Sequence, residues 1–194
     1  MKDITSNEMK FILTILKSPQ EELNARNISK LINISPMGAL KIAKRLQKEN
    51  IISSRKIGKG IYYYLNLNEE YVIKYLKFLL HREAEQATPY IRVWLYELKK
   101  IKSSEGVILF GSVLHKEKEA RDIDALIIVN KKGFDSVKKE VEEINLINIK
   151  KVHPLYQTKA DLKKHINEKN KVILNAVKGI YVSEEDNLIE ALKR

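Results

Sequence analysis

Apolar residues recur at helical spacing through the first third of the chain. Met9, Ile12, Leu13 and Leu16 stand at i, i+3, i+4 and i+7, which predicts a helix over residues 6–16 with one core-facing stripe. A shorter helix is expected over residues 23–32. Ser35-Pro36 then opens a third over 35–49, because serine can cap free N–H groups and proline is preorganised for the first helical position. Ala39, Ile42, Ala43 and Leu46 give it an inward stripe, while Met37, Gly38, Lys41, Lys44, Arg45 and Lys48 occupy the other face. The pattern then changes. Ile51-Ile52, the basic pair Arg55-Lys56, the turn Gly58-Lys59-Gly60 and the run from Ile61 to Leu65 read as a hairpin.

Residues 69–100 read as a long helical stretch interrupted at Pro89. Tyr71, Tyr75, Phe78 and Leu79 form one predicted apolar stripe, and Ile91, Trp94, Leu95 and Leu98 form another after the capping pair Thr88-Pro89. Such helices could link two domains or pair with a second copy of the chain, and Trp94 falls within the core or interface stripe. Two short continuous apolar runs follow, Val107 to Phe110 and Ala125 to Val129, which read as buried strands. A helix over 134–147, a strand over 149–157, a helix starting at Lys159 and a helix-to-strand turn over 175–182 complete the pattern. The fold class expected is α+β. Its parts are a helix-rich domain with a hairpin over 1–68, a helical linker over 69–104, and a mixed sheet with helices over 105–194.

The chemistry concentrates between the two apolar runs. Gly111-Ser112 closes the first as a small-residue turn, where glycine permits close backbone approach and serine adds a hydroxyl beside free N–H groups. Asp122 and Asp124 open the second. Strand side chains alternate, so these two carboxylates project from one face and could hold Mg²⁺ against substrate phosphates, while Ile123 points into the core. This order of strand, Gly-Ser, short helix and Asp-x-Asp, with nine residues between Ser112 and Asp122, resembles the polymerase-β-like nucleotidyltransferases over residues 105 to about 190. The resemblance implies that Gly111 and Ser112 bind the phosphates of an NTP. It also implies that Asp122 and Asp124 are the catalytic carboxylates and bind Mg²⁺ or Mn²⁺, in a two-metal clamp on the attacking and leaving oxygens.

The chain departs from that family's pattern. Active members supply a third carboxylate from a later strand, but residues 149–156 contain no acid and offer Lys150, Lys151 and His153 instead. Arg121 stands where serine is frequent, and the helix after Gly-Ser, beginning Val113-Leu114-His115-Lys116, lacks an Arg-Gly pair. Asp135, Glu140, Glu143 and Asp161 flank the region, with no spacing that singles one out.

Three helices followed by a glycine-turned hairpin resemble the winged helix-turn-helix family through about residue 68. The resemblance implies a double-stranded DNA partner, with Met37, Lys41, Lys44 and Arg45 on the recognition helix and Lys56 and Lys59 on the wing. Charge agrees with this. Residues 1–70 carry 12 Lys and Arg against 7 Asp and Glu, residues 71–104 carry 7 against 3, and residues 105–194 carry 17 against 15, so the basic excess sits toward the first half.

The chain contains no cysteine, which excludes disulfides and thiolate zinc sites, and His81, His115, His153 and His165 show no metal-ligand spacing. No apolar run approaches the roughly 18 to 20 residues that span a membrane. The start Met-Lys-Asp-Ile-Thr has no secretory pattern, and no helix joins a basic face to an aromatic apolar one. A cytoplasmic protein without membrane contact is expected. Two functional classes follow. In the first the chain is a transcriptional regulator or antitoxin-like protein that binds DNA and Mg-NTP with weak or no transfer, alone, as a homodimer or with a protein partner. In the second it is an active Mg²⁺-dependent nucleotidyltransferase acting on a protein, RNA or small molecule.

Overall fold

The computed structural model describes residues 4–192 and has mixed α+β architecture. Met1 to Asp3, part of the start assessed above for a secretory pattern, and the last two residues of the domain expected over 105–194 lie outside the described residues. The chain divides into two compact units between Leu79 and Leu80.

The first unit begins with α1 (Ser6–Leu16), α2 (Ala25–Leu31) and α3 (Pro36–Lys48). Side chains set each start. Thr5 and Glu8 form a reciprocal capping box on α1, Asn24 and Asn27 form one on α2, and the Ser35 hydroxyl accepts from the Gly38 N–H at 3.0 Å on α3. The Asn24 cap is why α2 starts at Ala25 rather than at Leu23; the Leu23 carbonyl instead accepts from the Tyr63 N–H at 2.9 Å, so this segment lies against the hairpin. That hairpin is β1 (Ile52–Ile57) and β2 (Gly60–Leu65), antiparallel, with Ile57 opposite Gly60. Gly58 takes φ +58 in the two-residue turn, a conformation that disfavours any residue with a Cβ. Gln47 Nε2 donates to Ser54 Oγ at 2.9 Å and fastens α3 to β1.

The division between the units falls inside α4 (Glu70–Glu85). Its predicted apolar stripe is corrected. Val72, Leu76, Leu79 and Leu80 are the buried residues, whereas Tyr71 and Phe78 are 49% and 51% exposed. The three aromatics stack along the helix surface instead, Tyr71 on Tyr75 at 6.0 Å and Tyr75 on Phe78 at 6.5 Å between ring centroids. Four-residue and three-residue spacings place such rings together on either side of a helix, so the spacing did not say which stripe faces inward.

The second unit holds α5 (Pro89–Leu98), whose Ile91, Trp94, Leu95 and Leu98 pack in one core cluster with Val107, Leu109, Ile123 and Ile127. Burying each such side chain contributes roughly 1.5–3 kcal/mol. After it come β3 (Gly106–Phe110), the single-turn α6 (Val113–Lys116), a 3₁₀ turn over Glu117–Glu119 and β4 (Ile123–Ile128). Next are α7 (Phe134–Ile147), β5 (Val152–Gln157), α8 (Lys159–Asn167), α9 (Lys171–Ala176), β6 (Ile180–Ser183) and α10 (Glu185–Leu192). The sheet order is β5-β4-β3-β6. β3 runs antiparallel to β4 and β6, while β4 and β5 are parallel, which requires the crossover that α7 supplies.

The strand expected over 149–157 starts three residues late. Asn145 at the end of α7 accepts from the Val152 N–H at 2.6 Å and donates to its carbonyl at 3.2 Å, closing the connection there and leaving Ile149 99% exposed. No helix among the described residues is long and apolar enough to cross a membrane.

Candidate metal centre

The site is built by the pairing of two parallel strands. Ile123 lies opposite Val152 and Asp124 opposite His153. Ile123 and Val152 are both buried, so alternation turns their neighbours Asp122, Asp124 and His153 to the other face. One ligand atom from each of these three residues can be chosen so that all lie within 4.8 Å of one another, and the group could hold a metal ion. His153 Nδ1 stands 3.6 Å from Asp124 Oδ1; the His153 side chain is 75% exposed and that of Asp124 25%. Donors bound at about 2.1 Å to a single ion lie about 3 Å apart when adjacent and about 4 Å apart when opposite, so small side-chain rotations suffice to close the set.

Burial pushes the Asp124 carboxyl up, and the neighbouring Asp122 charge pushes the same way, while His153 opposes both. Half-buried carboxylates that repel one another are what a dication relieves. Among the described residues no other group of three or more His, Cys, Asp or Glu side chains has this geometry.

The turn before the site is fitted to it. Phe110 is paired with Asp124, and the next residue, Gly111, has φ +82. A Cβ there would run into the Asp124 carboxylate, closer than real carbon–oxygen contacts allow. The glycine is therefore a space left for an aspartate as well as a turn residue. Ser112 heads α6, but its side chain makes no capping hydrogen bond; its carbonyl accepts from Lys116 N–H at 2.8 Å.

Lys150 and Lys151, the basic residues found where an acid was sought, both hold backbone carbonyls. Lys150 Nζ donates to the carbonyls of Lys118 and of Ala120, the latter at 2.6 Å, and lies 5.5 Å from the centre of the Tyr90 ring. It thereby pins the 3₁₀ turn immediately ahead of Arg121-Asp122. Lys151 Nζ donates to the carbonyls of Asn145 and Asn148, and its own carbonyl accepts from the Ile123 N–H at 3.0 Å. Two of the flanking acids are committed elsewhere. Glu140 accepts from Ser103 N–H and Oγ, the latter at 2.8 Å, and Asp161 accepts from Thr158 Oγ1 at 2.7 Å at the start of α8. Neither these nor Asp135 and Glu143 join the cluster.

The sequence marks His153 as the residue to inspect on the strand where a third acid is sought, but its spacing does not show it as a companion of the aspartates, because strand register, not separation along the chain, brings it there. The signal that could have found it is position: it is the second residue of β5, as Asp124 is of the parallel β4.

In the first unit, Met37, Lys41 and Lys44 are exposed on α3, and Lys56 and Lys59 are exposed on the hairpin. Arg45 differs from them. Its Nη1 is 2.5 Å from Glu8 Oε1 and its Nε 3.0 Å from Glu49 Oε1, so α3 uses it to grip α1.

Comparison of the chain with family models, with curated proteins and with solved structures gave no match.

Proposed function

We propose that this protein is a DNA-binding regulator whose second unit is a nucleotidyltransferase-like domain that binds an NTP with a divalent metal ion. The observation that carries the reading is the Asp122–Asp124–His153 cluster, facing the Gly111-Ser112 turn whose glycine makes room for Asp124. Two carboxylates and an imidazole suit a dication, and Gly111 lets the turn lie directly against the Asp124 carboxylate that would hold it. Mg²⁺ or Mn²⁺ would supply the charge that neutralises the triphosphate. In the first unit, three capped helices followed by a glycine-turned hairpin support the reading as a winged helix-turn-helix. Met37, Lys41 and Lys44 lie on its recognition helix, and Lys56 and Lys59 on its wing would meet phosphates.

The completed set of three ligands favours a second reading, active transfer. There an acceptor hydroxyl would form a bond to the α-phosphorus as the bond to the β-phosphate oxygen breaks, releasing pyrophosphate, with the acceptor proton passing to a base. The missing third carboxylate weighs against it, since an imidazole neutralises less charge than a carboxylate.

The test is a thermal-melt series with each NTP and Mg²⁺ or Mn²⁺. Preferential binding to the native state should raise the Tm in proportion to the logarithm of ligand excess, and Asp122→Asn with Asp124→Asn should abolish the rise in a protein that still folds. Absence of any rise in the parent overturns the nucleotide reading. Labelling of protein, RNA or small-molecule acceptors by α-labelled NTP, lost in Asp122→Asn, makes the second reading the correct one.

A further inference from the structure

We propose that His153 makes this metal site selective for first-row transition dications, Mn²⁺, Co²⁺ and Zn²⁺, over Mg²⁺. The inference rests on the reading of the Asp122–Asp124–His153 cluster as a metal centre. It adds which metals that centre takes and which residue decides.

The argument is one of donor chemistry. A third carboxylate would complete an all-oxygen set, which suits Mg²⁺, a small hard cation that sheds its water reluctantly and favours oxygen. At the position opposite Asp124 this chain carries an imidazole, whose Nδ1 lies 3.6 Å from Asp124 Oδ1. Imidazole nitrogen binds transition dications far better than it binds Mg²⁺, and affinity rises from Mn²⁺ through Co²⁺.

The surroundings of His153 leave the ring free to act as a ligand. Its side chain is 75% exposed, so it is not a packing residue, and the backbone that carries it is fixed on both sides. Val152 before it is buried and held by Asn145, and Pro154 after it restricts φ. The two cations close by, Lys150 and Lys151, are turned onto backbone carbonyls and do not occupy the ligand position. Geometry thus offers one nitrogen and two carboxylate groups to one ion, with the remaining positions open to water or phosphate.

The experiment uses the full chain without nucleotide, titrated with MgCl₂, MnCl₂, CoCl₂ and ZnCl₂ at one pH and followed by calorimetry and thermal melts. The parent should bind Mn²⁺ and Co²⁺ about 10- to 100-fold more tightly than Mg²⁺. Spin-echo spectra of bound Mn²⁺ should carry the modulation of a directly coordinated imidazole nitrogen. His153→Asp should narrow the ratio by strengthening Mg²⁺ binding, and His153→Ala should weaken Co²⁺ binding by a larger factor than Mg²⁺ binding and remove the nitrogen signal. Because His153 is exposed, His153→Ala should keep the parent's metal-free Tm, which the melts verify. Equal affinity for Mg²⁺ and Mn²⁺, or a bound Mn²⁺ without the nitrogen signal, overturns the selectivity. If that equal binding is lost in Asp122→Asn, the metal centre itself stands. Binding of no dication by the parent overturns both.

Discussion

The carboxylate of Asp124 occupies the space that a side chain in place of Gly111 would need. The turn and the strand entry, separated by the whole α6 segment, are therefore one fitted structure. Gly111→Ala meets two penalties together, the φ of +82 and the overlap with Asp124. We expect a loss of about 2–4 kcal/mol in denaturant melts, with metal binding falling further than stability as Asp124 is displaced. A variant with parent stability and parent metal affinity would show that the two residues are not fitted to each other.

Lys150 is a positioning residue. Its ammonium ties together the carbonyls of Lys118 and Ala120 at the end of a 3₁₀ turn that closes at Glu119, three residues before Asp122. Lys150→Met keeps the stem length and removes the charge, leaving those carbonyls to water. Expected are a modest loss of about 1–2 kcal/mol and faster amide exchange over residues 117–122. Metal affinity should drop while the metal preference order is retained. Unaltered exchange in that segment would refute the role.

Glu8 and Arg45 give the first unit a defined acid sensitivity. Burial alone would push the Glu8 carboxyl up, but hydrogen bonds from Thr5 and the Arg45 guanidinium outweigh it and hold the group below its usual 4.5. An acid depressed in the folded state contributes stability that is fully present above the unfolded value and disappears as pH falls through the folded one. The parent's stability should thus decline below about pH 4.5. Glu8→Gln should lose about 1–3 kcal/mol at pH 7 and show a flatter acid limb. Chemical denaturation at several pH values reads both.

Most of the element pattern was legible along the chain, for local reasons. Thr5, Ser35, Thr88 and Thr158 cap helices whose inward stripes repeat at helical spacing, and such signals act within a few residues. Asp122, Ile123 and Asp124 were legible because strand alternation is equally local. What escaped depended on partners distant in sequence. α4 has apolar residues on more than half its circumference, so only packing selects Val72 and Leu76 over Tyr71 and Phe78. Lys150 was visible as a charge, but its targets are carbonyls some 30 residues earlier, which no side-chain pattern reveals. His153 lies 29 residues from Asp124 and meets it only through parallel register across the α7 crossover.

The basic residues of α3 and the hairpin are of two kinds. Lys41, Lys44 and Lys59 are exposed, whereas Arg45 spans Glu8 and Glu49. If the helix and hairpin meet duplex phosphates, Lys41→Ala, Lys44→Ala and Lys59→Ala should each weaken binding. Each should also lower the slope of log affinity against log salt by about one, while leaving the Tm within about 1 °C. Arg45→Ala should behave differently, lowering the Tm because Glu8 is left buried without its cation. Any effect it has on DNA should then be accompanied by loss of folded protein. Fluorescence anisotropy with a random duplex across a salt series, paired with melts of each variant, distinguishes the two kinds of residue. Unchanged affinity and unchanged salt slope in all three lysine variants would remove DNA as the partner of this face.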